Sequence, residues 1–378
     1  MSEPIKVLAV VSGLNPGGLE NRLMDILRII DVNRVTIDVF TYNPEPCDYD
    51  EEVQKLGGTV YYNPRLTIFN MFWYVRYFRD FLKLHPEYGI VHAHQNAWCS
   101  VFCKGAFLAE VPVRIAHSRT AISSKTPDAF VKNLIKLPAK KYATHYFAVS
   151  QKAARWLFGD RMLAKNEFVV WPNAINAESF HYDPQTRDRV RILNDWSGKY
   201  VVMHVGNFTP PKNHPFILKI FKEIHSLNRD AVLVLVGNGT KRFKDGILKK
   251  YGLSDAIRVL GTRNDISDLL QGADVFLFPS IYEGLPGALV EAQAAGLPCV
   301  LADTIAEEVY ITPNLTILPL SADAKVWAES VLKYRDFERD DTRQYIEDKG
   351  FDVHSLTERL CRFYEQVYRE EVDKHGIS

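Results

Sequence analysis

The chain has 378 residues, enough for two domains of ordinary size, each with its own core. Its 46 basic and 46 acidic residues cancel to a formal charge of zero, which excludes a global nucleic-acid footprint. Hydrophobic content of 47% beside 24% charged residues is the balance of a globular enzyme and excludes a disordered or fibrous chain.

Ile5 to Val11 reads as a first strand, too short and wrongly flanked to be a leader peptide. A glycine-rich turn, Ser-Gly-Leu-Asn-Pro-Gly-Gly, follows, then a helix from about Leu19 to Ile30, the opening of a doubly wound sheet. Strands are expected at Val35 to Thr41, Thr59 to Tyr62, Ile90 to Ala93, Val113 to Ala116, His145 to Val149 and Phe168 to Trp171. Helices are expected at Phe69 to Leu84, which is unusually aromatic, and at about Ala97 to Leu108 and Phe130 to Ala143. The polar stretch Ala177 to Gly198 reads as a linker, after which strand and helix alternate again from Val201. That second half has strands at Val201 to Val205, Val232 to Val236, Ile257 to Leu260, Val275 to Phe278 and Cys299 to Leu301, and a helix running to about Tyr251. Ala324 to Asp373 is helical, with Leu356, Leu360, Phe363, Tyr364 and Val367 on one stripe able to pack back on the first half. The expected class is α/β: two Rossmann-like doubly wound domains facing a cleft. The first covers residues 1–182 with the terminal helix 355–378 returning to it, and the second, with its linker, covers 183–354.

No apolar stretch approaches the roughly 20 residues that cross a bilayer. Five scattered cysteines suit a reduced, cytoplasmic compartment. Cys99 and Cys103 share a helix face with no further ligand nearby, and His92 and His94 alternate on a strand end. The cysteines read as a helix face and the histidines as structural or acceptor-lining, neither pair as metal-binding.

The chemistry concentrates in PSIYEGLPGALVEAQAAGLP, residues 279–298. A helix from about Gly287, with Pro286 suited to its start and Gly296 to its stop, leaves the amides of Gly287, Ala288 and Leu289 unpaired. Such a terminus favours an anion, and Glu283 and Glu291 flank it with carboxylates able to grip sugar or ribose hydroxyls. The combination points to a nucleotide-sugar. Gly17-Gly18, at the end of the first strand, marks a close approach of backbone to ligand; only glycine combines that with positive φ. Gly206 to Asn213 is the matching turn of the second half, and Lys212 there can neutralise a diphosphate leaving group. His117 ends a strand at the carboxyl edge, where open sheets keep their ligands.

Taken together, Gly17-Gly18, His117, Pro172-Asn173, Gly206 to Lys212 and Glu283-x7-Glu291 resemble the retaining glycosyltransferases of family four, over nearly the whole chain. The resemblance implies the GT-B fold, with acceptor on the first domain and nucleotide-sugar, chiefly a uridine diphosphate sugar, on the second. It implies that Glu291 holds the ribose, Glu283 contacts the donor sugar, and His117 lies near the sugar undergoing transfer. Gly287, Ala288 and Leu289 hold the diphosphate with Lys212 and Gly18; Arg263 belongs to a loop around the base; Ser150 and Asn173 line the cleft. No cofactor and no metal are implied: leaving-group charge falls to Lys212 and the helix dipole. The resemblance implies transfer with retention, by front-face displacement. One departure stands out, because the family's usual Arg is Asn207 here, which donates a neutral hydrogen bond but no charge. Arg119 or Arg263 could compensate.

The family's roles in exopolysaccharide, capsule and lipopolysaccharide assembly imply a glycan or lipid-linked acceptor. The aromatic helix and Lys125, Lys132, Lys136, Lys140 and Lys141 suggest docking of a cytoplasmic protein on an anionic inner-membrane surface. Competing readings are a UDP-N-acetylglucosamine 2-epimerase-like isomerase and a non-catalytic nucleotide-sugar-binding subunit.

Overall fold

A computed structural model of the chain describes residues 3–119, 127–165, 167–239, 252–283 and 285–375. It divides into two compact units, Met1–Ala174 with Val353–Ser378, and Ile175–Asp352. The first unit has a parallel sheet of β1 (Ile5–Val11), β2 (Val35–Thr41), β3 (Val60–Tyr62), β4 (Ile90–Ala93), β5 (Val113–Ser118), β6 (His145–Ala148) and β7 (Val169–Val170). Its spatial order is β3-β2-β1-β4-β5-β6-β7. The second has β8 (Tyr200–Val205), β9 (Ala231–Val236), β10 (Ile257–Gly261), β11 (Val275–Phe278), β12 (Cys299–Ala302) and β13 (Leu315–Leu318), ordered β10-β9-β8-β11-β12-β13.

The central strands are continuous apolar runs because helices cover both faces of a parallel sheet. Every residue of β9, AVLVLV, is buried, as are the last five of β1. β13 is the strand that periodicity does not announce: it lies at the sheet edge and none of its four residues is fully buried. In each sheet the winding reverses once, between β1 and β4 and between β8 and β11. Those are the places where the loops after two neighbouring strands part and leave a crevice.

The expected linker is a structural part of the second unit. Residues 177–198 contain helices Ala177–Phe180 and Pro184–Leu193. Arg187 and Arg191 of the latter both reach Asp274, at 2.5 and 3.2 Å. The boundary therefore falls at Ala174 rather than 182, since Ile175 N–H donates to Phe351 O and Gln271 Nε2 donates to the carbonyls of Phe180 and His181. The helix expected over 130–143 is two, Pro127–Ile135 and Ala139–Tyr142, separated at Pro138, which lacks a backbone donor. The expected helix running to Tyr251 lies outside the described residues.

The terminal helix Val353–His375 closes the first unit. Val353, Leu356, Leu360, Tyr364 and Val367 join its core with Val7, Ile90 and Ile115. Arg34 adds a fork to Glu365, at 2.8 and 3.1 Å, and a bond to Glu358 at 2.7 Å. The aromatic helix, Met71–Leu84, is two-faced. Tyr74 and Phe78 pack edge-on to Phe40, whereas Phe72 is 72% exposed and Phe69, just before the helix, 92% exposed.

Candidate active site

In the second unit the loops after β8 and β11 are tied by one backbone and one side-chain hydrogen bond. Ile281 N–H donates to Pro211 O at 2.7 Å, and Asn213 Nδ2 donates to Pro279 O at 3.1 Å. This brings Lys212 and Glu283 together: Nζ lies 2.8 Å from Oε1, with side chains 17% and 16% exposed. The contact is an ion pair by distance without hydrogen-bond alignment, so Glu283 Oε1 keeps acceptor capacity. Lys212 Nζ also sits 4.7 Å from the Phe278 ring centroid. Gly206 leaves the room, since a Cβ there would meet His204 Nε2 and Lys212 Cδ, both at 2.9 Å.

Beneath this pair are two buried polar atoms with no hydrogen-bond partner among the described residues, His204 Nε2 and Ser280 Oγ. His204 Nδ1 lies 2.9 Å from Leu277 O. A carbonyl only accepts, so the ring proton is on Nδ1 and Nε2 is a bare lone pair. Burial, with His214 and Lys212 adding to it, holds His204 well below the usual histidine range. The sequence signal for His204 is a polar residue inside the apolar run VVMHV.

Helix Gly287–Ala294 starts beside Glu283. Among its residues only Gly287, Ala288 and Glu291 are less than fully buried, and their spacing puts all three on one open face. Gly287 and Ala288 N–H find no backbone acceptor among the described residues. Leu289 departs from expectation, because its N–H donates to Pro286 O at 3.1 Å and is already satisfied. The open helix start is thus two amides among the described residues, not three.

Asn207 has a structural job as well. Its Oδ1 accepts from Asn238 N–H at 3.0 Å, and Phe208 N–H donates back to Asn238 O at 2.7 Å, locking the β8 loop to the β9 loop. Between them Gly237, at φ 141°, has no space for a Cβ, which would sit 2.3 Å from Gly206 O. The Gly-Asn-Gly after β9 is the signal for it. Arg263 follows β10 and forks onto Asp265 at 2.8 and 2.5 Å, so its charge is already paired.

In the first unit the crevice beside β1 is a cavity of about 530 Å³ lined by Ser12, Gly17, Glu20, Tyr42, Asn43 and Arg65, among others. The steric argument for the glycine pair holds only in part, since a Cβ on Gly17 would lie 2.4 Å from Glu20 Oε2, the end of a flexible side chain. Gly17 is extended at φ −162°, a conformation open to any residue, and a Cβ on Gly18 would meet nothing within 4 Å. His117, at the end of β5, is wholly buried, with its ring among His92, His94 and Phe147. Burial first, then the positive Arg119, holds it far below the usual histidine range, so it carries no exchangeable charge near neutrality. Ser150 is also buried and caps helix Gln151–Phe158, its Oγ accepting from Ala153 N–H at 3.2 Å. Asn173 is half-buried in the loop after β7. The chain contains one Asp-x-Asp spacing, Asp48-Tyr49-Asp50. Asp50 is buried and accepts from Cys47 N–H and Tyr62 Oη, while Asp48 is exposed, so the two do not converge as a chelate.

The predicted residues therefore sort by environment. Lys212, Glu283, Gly206 and the open face of Gly287, Ala288 and Glu291 gather at the β8–β11 crevice. Gly17 lines the first unit's cavity and Gly18 follows it at the start of a helix, while Ser150 and His117 are buried within that unit. Gly237→Ala is expected to destabilise the protein by about 1–3 kcal/mol, through a strained φ and a backbone clash, whereas Gly18→Ala leaves it within about 0.5 kcal/mol. Urea denaturation of the two variants checks this; equal stabilities contradict it.

Comparisons with known proteins give the family and the fold. The family model described as Glycosyltransferase Family 4 matches residues 16–179, and that described as Glycosyl transferases group 1 matches residues 187–351. EpsF of Bacillus subtilis (strain 168), which carries a glycosyltransferase name, is 34% identical over 95% of this chain and 96% of its own length. The capsular polysaccharide biosynthesis glycosyltransferase CapH of Staphylococcus aureus is 25% identical over 95% of this chain and 98% of its own. The Escherichia coli UDP-Gal:alpha-D-GlcNAc-diphosphoundecaprenol alpha-1,3-galactosyltransferase is 29% identical over 57% of this chain and 58% of its own. Among solved structures, Anabaena Alr3699/HepE in complex with UDP superposes with a TM-score of 0.77 at 18% identity, covering 96% of this chain and 100% of that one. The chain belongs to the family-four, group 1 glycosyltransferases, and its fold is GT-B.

Proposed function

We propose that this glycosyltransferase moves a hexose or N-acetylhexosamine from a uridine diphosphate sugar to a glycan or lipid-linked acceptor in cell-surface polysaccharide synthesis, with retention and without a metal. The observation that carries the reading is the Lys212–Glu283 pair at the β8–β11 crevice, beside a helix terminus with two open amides. A nucleotide-sugar answers both charges. Its diphosphate takes Lys212 and the Gly287 and Ala288 amides, and its sugar hydroxyls donate to Glu283. Glu291, on the same open helix face, is placed for the ribose. In the reaction the bond from the anomeric carbon to the phosphate oxygen breaks and the acceptor oxygen bonds that carbon on the same face. The acceptor's proton passes to the departing phosphate. Lys212 is left facing the charge that has developed, which is where a preorganised cation lowers the barrier. The UDP in the name of the E. coli relative and in the HepE complex supports the carrier; the names of CapH and the E. coli relative support the acceptor class.

Mass spectrometry of turnovers with a panel of UDP- and GDP-sugars and lipid-linked acceptors tests the proposal. Transfer from a UDP-sugar is expected, with Glu283→Ala lowering kcat at least about 100-fold, the scale of a lost charged contact in the transition state. Isomerisation of the donor without an acceptor points instead to an epimerase. Full transfer by Glu283→Ala refutes the site.

The same proposal places the protein at the cytoplasmic face of a membrane. Among the described residues no helix is long and apolar enough to cross one. The first unit nevertheless exposes Phe69, Phe72 and Trp73, and separately Phe130, Leu134 and Leu137 near Lys132, Lys140 and Lys141. Lys125 lies outside the described residues. Lys136 is spent elsewhere, its Nζ donating to Trp156 O at 2.5 Å. Apolar side chains beside cations suit an anionic interface. Replacing Phe69, Phe72 and Trp73 by Ser is expected to reduce co-sedimentation with phosphatidylglycerol vesicles while leaving the thermal midpoint unchanged. Undiminished sedimentation contradicts docking through this face.

A further inference from the structure

A buried polar line crosses the first unit and ends at a cation. Arg119 Nη1 lies 3.4 Å from His117 Nε2, His117 Nδ1 lies 3.0 Å from His92 Nε2, and His92 Nδ1 lies 2.6 Å from Tyr364 Oη on the terminal helix. His92, His117 and Tyr364 are each at most 1% exposed. The donor inventory gives this line one direction. A guanidinium only donates, so His117 Nε2 accepts and the neutral ring carries its proton on Nδ1. That proton goes to His92 Nε2, which leaves His92 Nδ1–H to donate to Tyr364 Oη. A single pair of tautomers satisfies all three contacts. Neutral rings agree with their surroundings, since burial lowers both histidines, His92 to about 3.

His92, His94 and His117 also have ligand atoms within 4.8 Å of one another, the spacing of a metal site. Their hydrogen bonds argue against that use. Both nitrogens of His92 and of His117 are engaged, and these two rings lie nearly parallel, 16° apart, instead of converging on a point. Arg119 places a further positive charge beside them.

Arg119 itself is held at both ends of the residue, its backbone N–H donating to Asn96 Oδ1 at 2.7 Å. Among the described residues no carboxylate lies within 4.0 Å of its guanidinium. Its burial lowers it to about 10, and the acidic group acting on its charge is Glu20, which lines the 530 Å³ cavity. A half-buried cation held in place without a carboxylate partner is built for an anion. We propose that Arg119 binds a substrate diphosphate and that His117, His92 and Tyr364 are positioning residues that aim its guanidinium. Arg263, the other arginine considered for such a part, is already held by Asp265. The existence of the anion site stands on Arg119's own surroundings. Its source, donor or lipid-linked acceptor, rests on the glycosyl-transfer reading.

Two measurements on the full-length chain test this. Two-bond 1H–15N spectra of 15N-histidine protein, assigned with His92→Asn and His117→Asn, are expected to show both rings as Nδ1–H tautomers at neutral pH. Calorimetry with inorganic diphosphate, UDP and uridine is expected to show Arg119→Gln weakening the first by about tenfold or more, uridine unchanged and Arg119→Lys intermediate. Tyr364→Phe is expected to shift the His117 resonances and weaken diphosphate by about two- to tenfold. A matching loss for UDP assigns the donor. Unchanged UDP with a raised KM for a polyprenyl-diphosphate acceptor, but not for a phosphate-free one, assigns the acceptor. Unchanged binding of diphosphate, UDP and acceptor by Arg119→Gln overturns the proposal, as does a protonated His117 Nε2 or one equivalent of bound metal. Failure of the wild type to transfer sugar sinks the reaction assigned above, and diphosphate calorimetry and the spectra still decide this inference.

Discussion

Lys212 and Glu283 leave β8 and β11, the strands at which the second sheet reverses its winding, and meet at 2.8 Å with about a sixth of each side chain exposed. Taking two such charges out of water is costly, and their attraction offsets that cost only while both are present. Removing one partner of a buried pair typically costs about 3–5 kcal/mol. The pair is therefore stable in the absence of ligand yet chemically incomplete, since neither group has its full set of hydrogen bonds. A ligand with a diphosphate at one end and hydroxyls at the other can separate the charges without stranding either. Much else in the second unit serves that meeting: the hydrogen bonds that tie the two loops, the missing Cβ at Gly206, and Asn207 anchoring the turn to β9.

The first unit meets the same demand with the opposite arrangement. There a cation, Arg119, has no carboxylate within 4.0 Å among the described residues and is met by a line of neutral groups that begins on the terminal helix at Tyr364. That helix is joined to the unit by its apolar stripe and by Arg34, so the sequence's last element sets the geometry of a residue at the end of β5. His117 contributes through what it accepts, and not as a titrating acid or base.

Most of the fold is legible in the sequence because buried parallel strands are continuous apolar runs, and β1, β2 and β4 fall at their expected residues. The failures have physical reasons. The segment 177–198 is polar and reads as a linker, yet its arginines are the anchors that cap Asp274, a tertiary use that composition does not reveal. β13 is short and half-exposed, without alternation. At the site, Lys212 is suggested by its place after the second half's first strand, and Glu283 and the helix start by the strand, turn and helix pattern of residues 279–298. The Leu289 amide is not open as expected, because the tight first turn returns it to Pro286. Gly17-Gly18 illustrates the reverse error: glycine suggests unusual backbone, but the turn is made with an ordinary extended residue. His204 is missed because its role depends on β8 lying beside β11, and Gly237 because its role depends on β9 lying beside β8, which no local pattern records.

The β8–β11 crevice is the proposed seat of the nucleotide-sugar. Amide hydrogen exchange of the full-length chain with and without saturating UDP-sugar tests this most directly. Slowed exchange is predicted in residues 206–213 and 279–294, with the same segments losing protection from ligand in Lys212→Ala. Ligand-induced protection that bypasses both segments would contradict it.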